Sequence, residues 1–457
     1  MSRNPDLLHG PVLPSLTRLA LPIMATSFVQ MAYNMTDMIW IGRIGSGAVT
    51  AVGAAGMYMW LANGIATMPR IGGQVKTGHA IGSENRDLSI SYARNAIQIA
   101  LIAGLLFAFI CVVFSHGLIS FFHLQNPETV SDAEVYLNIT CGLIIFSFFN
   151  QVMTGITTAM GNSKISFLAT TIGLVINIIL DPVLIFGVGP FPRMGVTGAA
   201  IATILAQVIV STVFIIHCFH EHTLLSHIRI LQKPEPGHMR EIISIGFPPA
   251  IQSMMFTGIS MIITRQVTRF GDAAMAVQRI GSQIEGISWV TCEGFGAAVN
   301  AFLAQNLGAG NKDRIHAGYR ASLTVCFIWG ALCSLILILI PGPIFSLFLK
   351  EADLIPMGIN YLRILGLSQL FMCIEITTTG AFAGLGRTVP PSVVGIVFTA
   401  ARIPAAAVLS STSLGLNGVW WSISVSSILK GIVLCIGFIY YLNKKLDQHP
   451  VILSITK

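Results

Sequence analysis

The chain is expected to be an all-α polytopic membrane protein, with twelve transmembrane helices in two homologous six-helix lobes. Three observations predict this. First, 54% of the 457 residues are hydrophobic and only 10% are charged, against about 25% charged in a soluble protein, and mean hydropathy is +0.76. Second, the apolar residues form long continuous runs, which suit helices rather than the short alternating strands of a barrel. Third, the two halves of the chain carry matching landmarks at a nearly constant spacing.

Twelve segments are long enough to cross a hydrocarbon core of about 30 Å: roughly 13–40, 47–69, 92–115, 135–157, 164–187, 196–218, 241–266, 273–305, 318–342, 358–382, 390–410 and 418–442. No cleavable leader is visible before the first, so that span itself is expected to direct insertion. It carries one carboxylate, Asp37, and an interior proline, Pro22, about four turns earlier. An acid inside a span marks a site for an ion, proton or substrate, and an interior proline is where a helix bends.

Loop charge sets the expected orientation. Seventeen basic residues fall on one face: Arg3, Arg18, Arg70, Lys76, Arg86, Arg94, Lys164, Arg229, Lys233, Arg240, Lys312, Arg314, Arg320, Arg387, Lys444, Lys445 and Lys457. Seven fall on the other: Arg43, Arg193, Arg265, Arg269, Arg279, Lys350 and Arg363. Both termini are therefore expected in the cytoplasm of a multi-pass cell-membrane protein. Arg402 and Lys430 are left inside spans. The net charge of +7 is thus loop charge beside a lipid bilayer, not a nucleic-acid signal. The eight cysteines stand singly in apolar runs, without metal-ligand spacing, and read as small core residues.

The polar stretch 219–240 falls at the midpoint and reads as a cytoplasmic linker between a lobe of residues 1–218 and a lobe of 241–457. Pro22 matches Pro248, Gly45 matches Gly271, and Gly82–Asp87 matches Gly308–Asp313, each at an offset of 226. Gly161 matches Gly386 at 225, and Gly195 matches Gly415 at 220. Six spans per half is an even number, so the repeats share one orientation and relate by an axis along the membrane normal.

Five carboxylates fall inside spans: Asp37, Asp181, Glu285, Glu293 and Glu375. Asn177 and Asp181, four apart, share a helix face, and Pro182 frees a carbonyl nearby. Asn150 and Thr203 add neutral oxygens. If Asp37 converges with these, the cluster is either an oxygen-only site for a hard cation such as Na⁺ or a carboxylate pair sharing a proton. The alternative is structural: Asp181 braces the proline kink, and the amides and hydroxyl bond between helices. In the second half, Glu375 aligns with Asn150 and Arg402 with Asn177, so Glu375 and Arg402 are a candidate buried pair. Either Glu285 or Glu293, eight apart on roughly one helix face, reads as lining for a cavity that attracts a cationic substrate, with a solvated Glu285 as the other reading. Met- and Phe-rich runs such as Met57–Trp60 and Phe146–Phe149 suit a pliable cavity or ordinary packing.

Several of these segments together resemble the multidrug and toxic compound extrusion (MATE) family: Ala20-Leu21-Pro22 with Asp37, Asn177…Asp181-Pro182, Gly198–Thr203, Gln305–Asn311 and Gly384–Arg387. The resemblance covers essentially the whole chain. It implies two six-helix lobes forming a V-shaped cavity, and secondary active antiport: export of small organic, often cationic, compounds in exchange for H⁺ or Na⁺. No cofactor beyond the coupling ion is expected, and a monomer is the default unit. The set Asp37, Asn150, Asn177, Asp181 and Thr203 is similar to the cation site of the DinF-like branch, in which the first span bends where Pro22 lies. Glu375 instead sits where the NorM-like branch carries an acid.

Other classes fit less well. No HExxH, GxSxG or P-loop occurs, so the chain is expected to be neither an enzyme nor an ATP-driven pump. A lipid-linked precursor flippase would need a large basic cavity, whereas the intramembrane charge here is mostly acidic.

Overall fold

The computed structural model describes residues 5–124, 126–220, 224–347 and 353–444. Arg3, Lys350, Lys445 and Lys457 of the charge pattern, and residues 221–223 of the linker, lie outside them. Among the described residues there are sixteen α-helices and no strand.

In the first half these are α1 (Val12–Gly42), α2 (Ser46–Gly82), α3 (Arg86–Val113), α4 (Ser115–Ser120), α5 (Pro127–Gly142), α6 (Ile145–Ala159), α7 (Ser163–Phe186) and α8 (Gly195–His220). The second half has α9 (Pro236–Thr268), α10 (Asp272–Gly308), α11 (Lys312–Leu339), α12 (Pro341–Ser346), α13 (Ile355–Gly384), α14 (Val389–Ala400), α15 (Arg402–Ser410) and α16 (Leu416–Lys444). Eleven spans are long and apolar enough to cross a membrane, and the bent pair α5 and α6 makes a twelfth.

The repeat shows in the lengths. Both α2 and α10 run 37 residues, and both α3 and α11 run 28. It shows in the caps as well: Asn85 accepts from the Leu88 amide at the start of α3, and Asn311 accepts from the Arg314 amide at the start of α11, each satisfying an orphan donor of the first turn. Apart from the helix-interior prolines Pro22 and Pro248, the matched landmarks are turns that contain a residue with left-handed or otherwise positive φ. Gly161 and Gly386 have φ of 78° and 69°, and Glu84 and Gly310 have 56° and 70°. A side chain is strained there, so backbone geometry explains why the two halves agree at these points.

Three details differ from the sequence reading. The fourth span is not one rod over 135–157 but two helices bent by 44°, with its outer part, α5, beginning at Pro127, inside what reads as a polar loop. The eleventh span breaks at Ala401, between α14 and α15. Arg70 and Lys76 lie within α2 and Arg94 within α3, because both helices continue well past their most apolar stretch.

Packing divides the chain into two compact units, Ala25–Ala250 and Pro5–Met24 with Ile251 onward. The boundaries fall inside α1 and α9, beside Pro22 and beside Pro248 and Pro249, and not at the 219–240 linker. The core of the first unit includes Phe148, Phe214 and Leu137, and also Ile242 from the start of α9. The core of the second includes Phe302, Tyr319 and Phe438, and also Leu16 and Leu19 from the start of α1. Leu16 and Ile242 are 226 apart, so the exchange is symmetric.

Much of the linker is docked. Gln98 on α3 donates to the carbonyls of Ile230 and Gln232, both at 2.8 Å. Arg94, 6% exposed, pairs with Glu235. Asn95 accepts from the Glu235 amide, and the Tyr92 hydroxyl donates to Glu241 at 2.6 Å. The polar composition that reads as a flexible connector serves to satisfy buried donors on α3.

Candidate functional site

Within the first unit, the polar span residues are positioned by four elements. α1 carries Asp37 with Tyr33 one turn earlier. α7 carries Asn177 and Asp181, both 0% exposed. α8 carries Thr203, buried, and α5 brings in Tyr136, also buried. α7 holds Pro182 in its interior, directly after Asp181, so the ladder is short one backbone donor beside the carboxylate.

These groups converge. Asp37 lies within electrostatic reach of Asp181, and both tyrosines lie beside Thr203 and within reach of the two carboxylates. Asn177 Nδ2 donates to Asp181 Oδ1 at 3.1 Å. Three carboxylate and amide oxygens of the group are buried with no hydrogen-bond partner: Asp37 Oδ1, Asn177 Oδ1 and Asp181 Oδ2. Buried polar atoms are normally satisfied, and here several unsatisfied oxygens stand on neighbouring helices. All the donor atoms are oxygens, which suits a proton or a hard cation. Among the described residues, no group of three or more His, Cys, Asp or Glu could hold a transition metal.

Asn150 does not join Asp181. Its amide donates to the carbonyl and side chain of Gln207, at 3.0 and 2.9 Å, and its Oδ1 accepts from Ser211 at 2.8 Å. It braces α6 against α8, one turn beyond Thr203. Tyr33, Tyr136, Gln207 and Ser211 were not legible as site residues, although the four-residue spacing of Tyr33 and Asp37 was a usable signal.

The second unit is built differently. Glu375 on α13 pairs with Lys430 on α16, Oε1 to Nζ, at 2.8 Å, and not with Arg402 as the repeat alignment suggests. Arg402 is held by Ser426 Oγ at 2.6 Å and Ser427 Oγ at 2.9 Å. The break after Ala401 puts Arg402 at the first position of α15, and α15 packs on α16, which carries those serines. Glu285 is not solvated: it is 3% exposed and accepts from Gln369 Nε2 at 3.0 Å. Glu293, on the same helix, is exposed.

The MatE family model matches the chain twice, over residues 22–183 and 248–408. The two matches begin at Pro22 and Pro248, the same offset of 226. The "Probable multidrug resistance protein NorM" of Thermotoga maritima is 27% identical over 443 residues, covering 96% of this chain and 94% of that protein. The "FAD transporter" of Shewanella oneidensis is 22% identical and covers 98% of each. A crystal structure described as MATE in the bent conformation superposes with a TM-score of 0.90 at 22% identity, covering 98% of this chain and 99% of that one.

Proposed function

Because the chain belongs to the MatE family of membrane transporters, we propose that it is a secondary active exporter of organic compounds, often cationic, exchanged for H⁺ or Na⁺. The observation that carries the reading is the group of unsatisfied buried oxygens around Asp37 and Asp181. Two carboxylates within electrostatic reach of each other in low dielectric favour a shared proton or a bound cation over two bare charges, so the group accepts a proton or a cation. The residues that would hold it are Asp37, Asn177, Asp181 and Thr203, with the hydroxyls of Tyr33 and Tyr136 beside them. Asn150 positions α8 rather than binding.

Loading changes the charge that α1 presents to α7 and α8. Pro22, which removes a backbone donor from α1, is the hinge at which that helix bends in response. Coupling then follows if the ion binds the conformations open to either side of the membrane with different affinity. In the same reading both termini are cytoplasmic, the protein acts as a monomer in the cell membrane, and residues 1–218 and 241–457, joined by 219–240, are the duplicated halves. Residues 22–183 and 248–408, matched separately by one family model, support that duplication. The flippase reading is not favoured, because the buried cations Arg402 and Lys430 are engaged by Ser426, Ser427 and Glu375.

The test is export of a fluorescent organic cation from cells carrying Asp37→Asn or Asp181→Asn, with the amount of inserted protein measured alongside. Both variants are expected to insert normally and to lose export. Wild-type export by Asp37→Asn would refute the assignment.

A further inference from the structure

The two units differ in the charges beside their buried acids. In the first, Asp37 and Asp181 keep unsatisfied oxygens, and among the described residues no Lys or Arg is paired with either. In the second, cations have entered from two elements. Arg402 stands where the first half has the neutral Asn177, at an offset of 225, and Lys430 stands where it has Val210, at an offset of 220. Lys430 is 5% exposed and Glu375 8%, on helices that pack against each other. The other charged groups that act on this pair are Arg402 and, through Arg402, Glu285.

The ammonium of Lys430 sits 2.8 Å from Glu375 Oε1. A bare monovalent cation bound to that carboxylate, through either oxygen, would meet the ammonium at a few ångströms in low dielectric, where like charges repel strongly. The other oxygen, Glu375 Oε2, is buried without a partner, while Ser426 and Ser427, one turn before Lys430 on α16, accept from Arg402. A carboxylate oxygen is therefore open, but its charge is already balanced by Lys430.

We propose that Lys430 is a tethered counter-cation that closes the second unit's carboxylate to mobile ions. Glu375 is then a structural partner and not a coupling site, and removing the Lys430 ammonium uncovers a site for a small monovalent cation at Glu375. The inference concerns ion binding in the second unit and stands whether or not the first-unit site couples transport.

The experiment is ²²Na⁺ binding to the purified full-length chain in detergent, with thermal unfolding in NaCl against KCl at equal ionic strength. An Asp37→Asn background silences the first-unit group. Asp37→Asn alone is expected to show no saturable Na⁺ binding. Adding Lys430→Gln should create saturable binding and a Na⁺-specific rise in unfolding temperature, and adding Glu375→Gln as well should remove both. A folded Lys430→Gln protein that gains no Na⁺ binding would overturn the proposal. If Lys430→Gln does not fold, the Asp37→Asn protein is compared with Asp37→Asn carrying both Glu375→Gln and Lys430→Gln. Equal Na⁺ binding supports the closed site, and a loss in the latter shows that Glu375 binds Na⁺ with Lys430 in place and overturns the proposal.

Discussion

At Asp181 a carboxylate with no exposed surface has one oxygen on the Asn177 amide and the other on nothing. Burial of that kind is tolerated when the unsatisfied atom has a task. The Glu375–Lys430 pair is the contrasting case, in which charge is cancelled inside the protein. Removing one partner strands the other, at a cost of about 3–5 kcal/mol, whereas replacing both is often close to neutral. Glu375→Gln should therefore destabilise the protein far more than Glu375→Gln with Lys430→Gln, read as unfolding midpoints in detergent. Equal midpoints for the two would mean the pair is not closed. Asp37 and Asp181 were legible in the sequence because acids are rare in spans and one precedes a proline. The partner of Glu375 was not, since alignment of the halves pointed to Arg402, and only the packing of α13 on α16 selects Lys430.

Helices here meet through small residues at fixed places. A Cβ on Gly246, early in α9, would lie 1.9 Å from the Met68 carbonyl oxygen of α2. The position of Met68 maps at an offset of 226 onto Gly294 of α10, whose added Cβ would lie 2.3 Å from Met24 Cγ of α1. The same helix contact is thus made close in both units, with the glycine on opposite partners. Gly246→Ala is expected to cost about 1–3 kcal/mol through overpacking against backbone. Gly56→Ala on α2, with nothing within 4 Å of the new Cβ, should be neutral or slightly stabilising. Thermal unfolding of the two variants side by side checks this. Span positions were readable from apolar run length, since hydrocarbon thickness fixes it. The kink between α5 and α6 and the break at Ala401 were not, because both keep the composition of a continuous span.

At the scale of the whole molecule, duplication is the fact from which the rest follows. The repeat of 226 was visible at prolines and at turn residues, where backbone geometry restricts the choice of side chain. The exchange of the first parts of α1 and α9 between the packing units was hidden, because a stretch of polar residues draws a boundary at 219–240 while the packing boundaries fall inside two apolar helices. Within this shared frame the halves have diverged: the first sets Asp37 and Asp181 together without a cation beside them, and the second pairs Glu375 with Lys430. The account therefore places ion loading in the first unit. The measurement that bears on it most directly is efflux of a fluorescent organic cation from proteoliposomes, with ΔpH and ΔNa⁺ imposed separately, for the wild type and Asp37→Asn. The account predicts that at least one gradient drives wild-type efflux and that neither drives efflux by Asp37→Asn. Gradient-driven efflux by Asp37→Asn at the wild-type rate, or a folded wild type that responds to neither gradient, would contradict it.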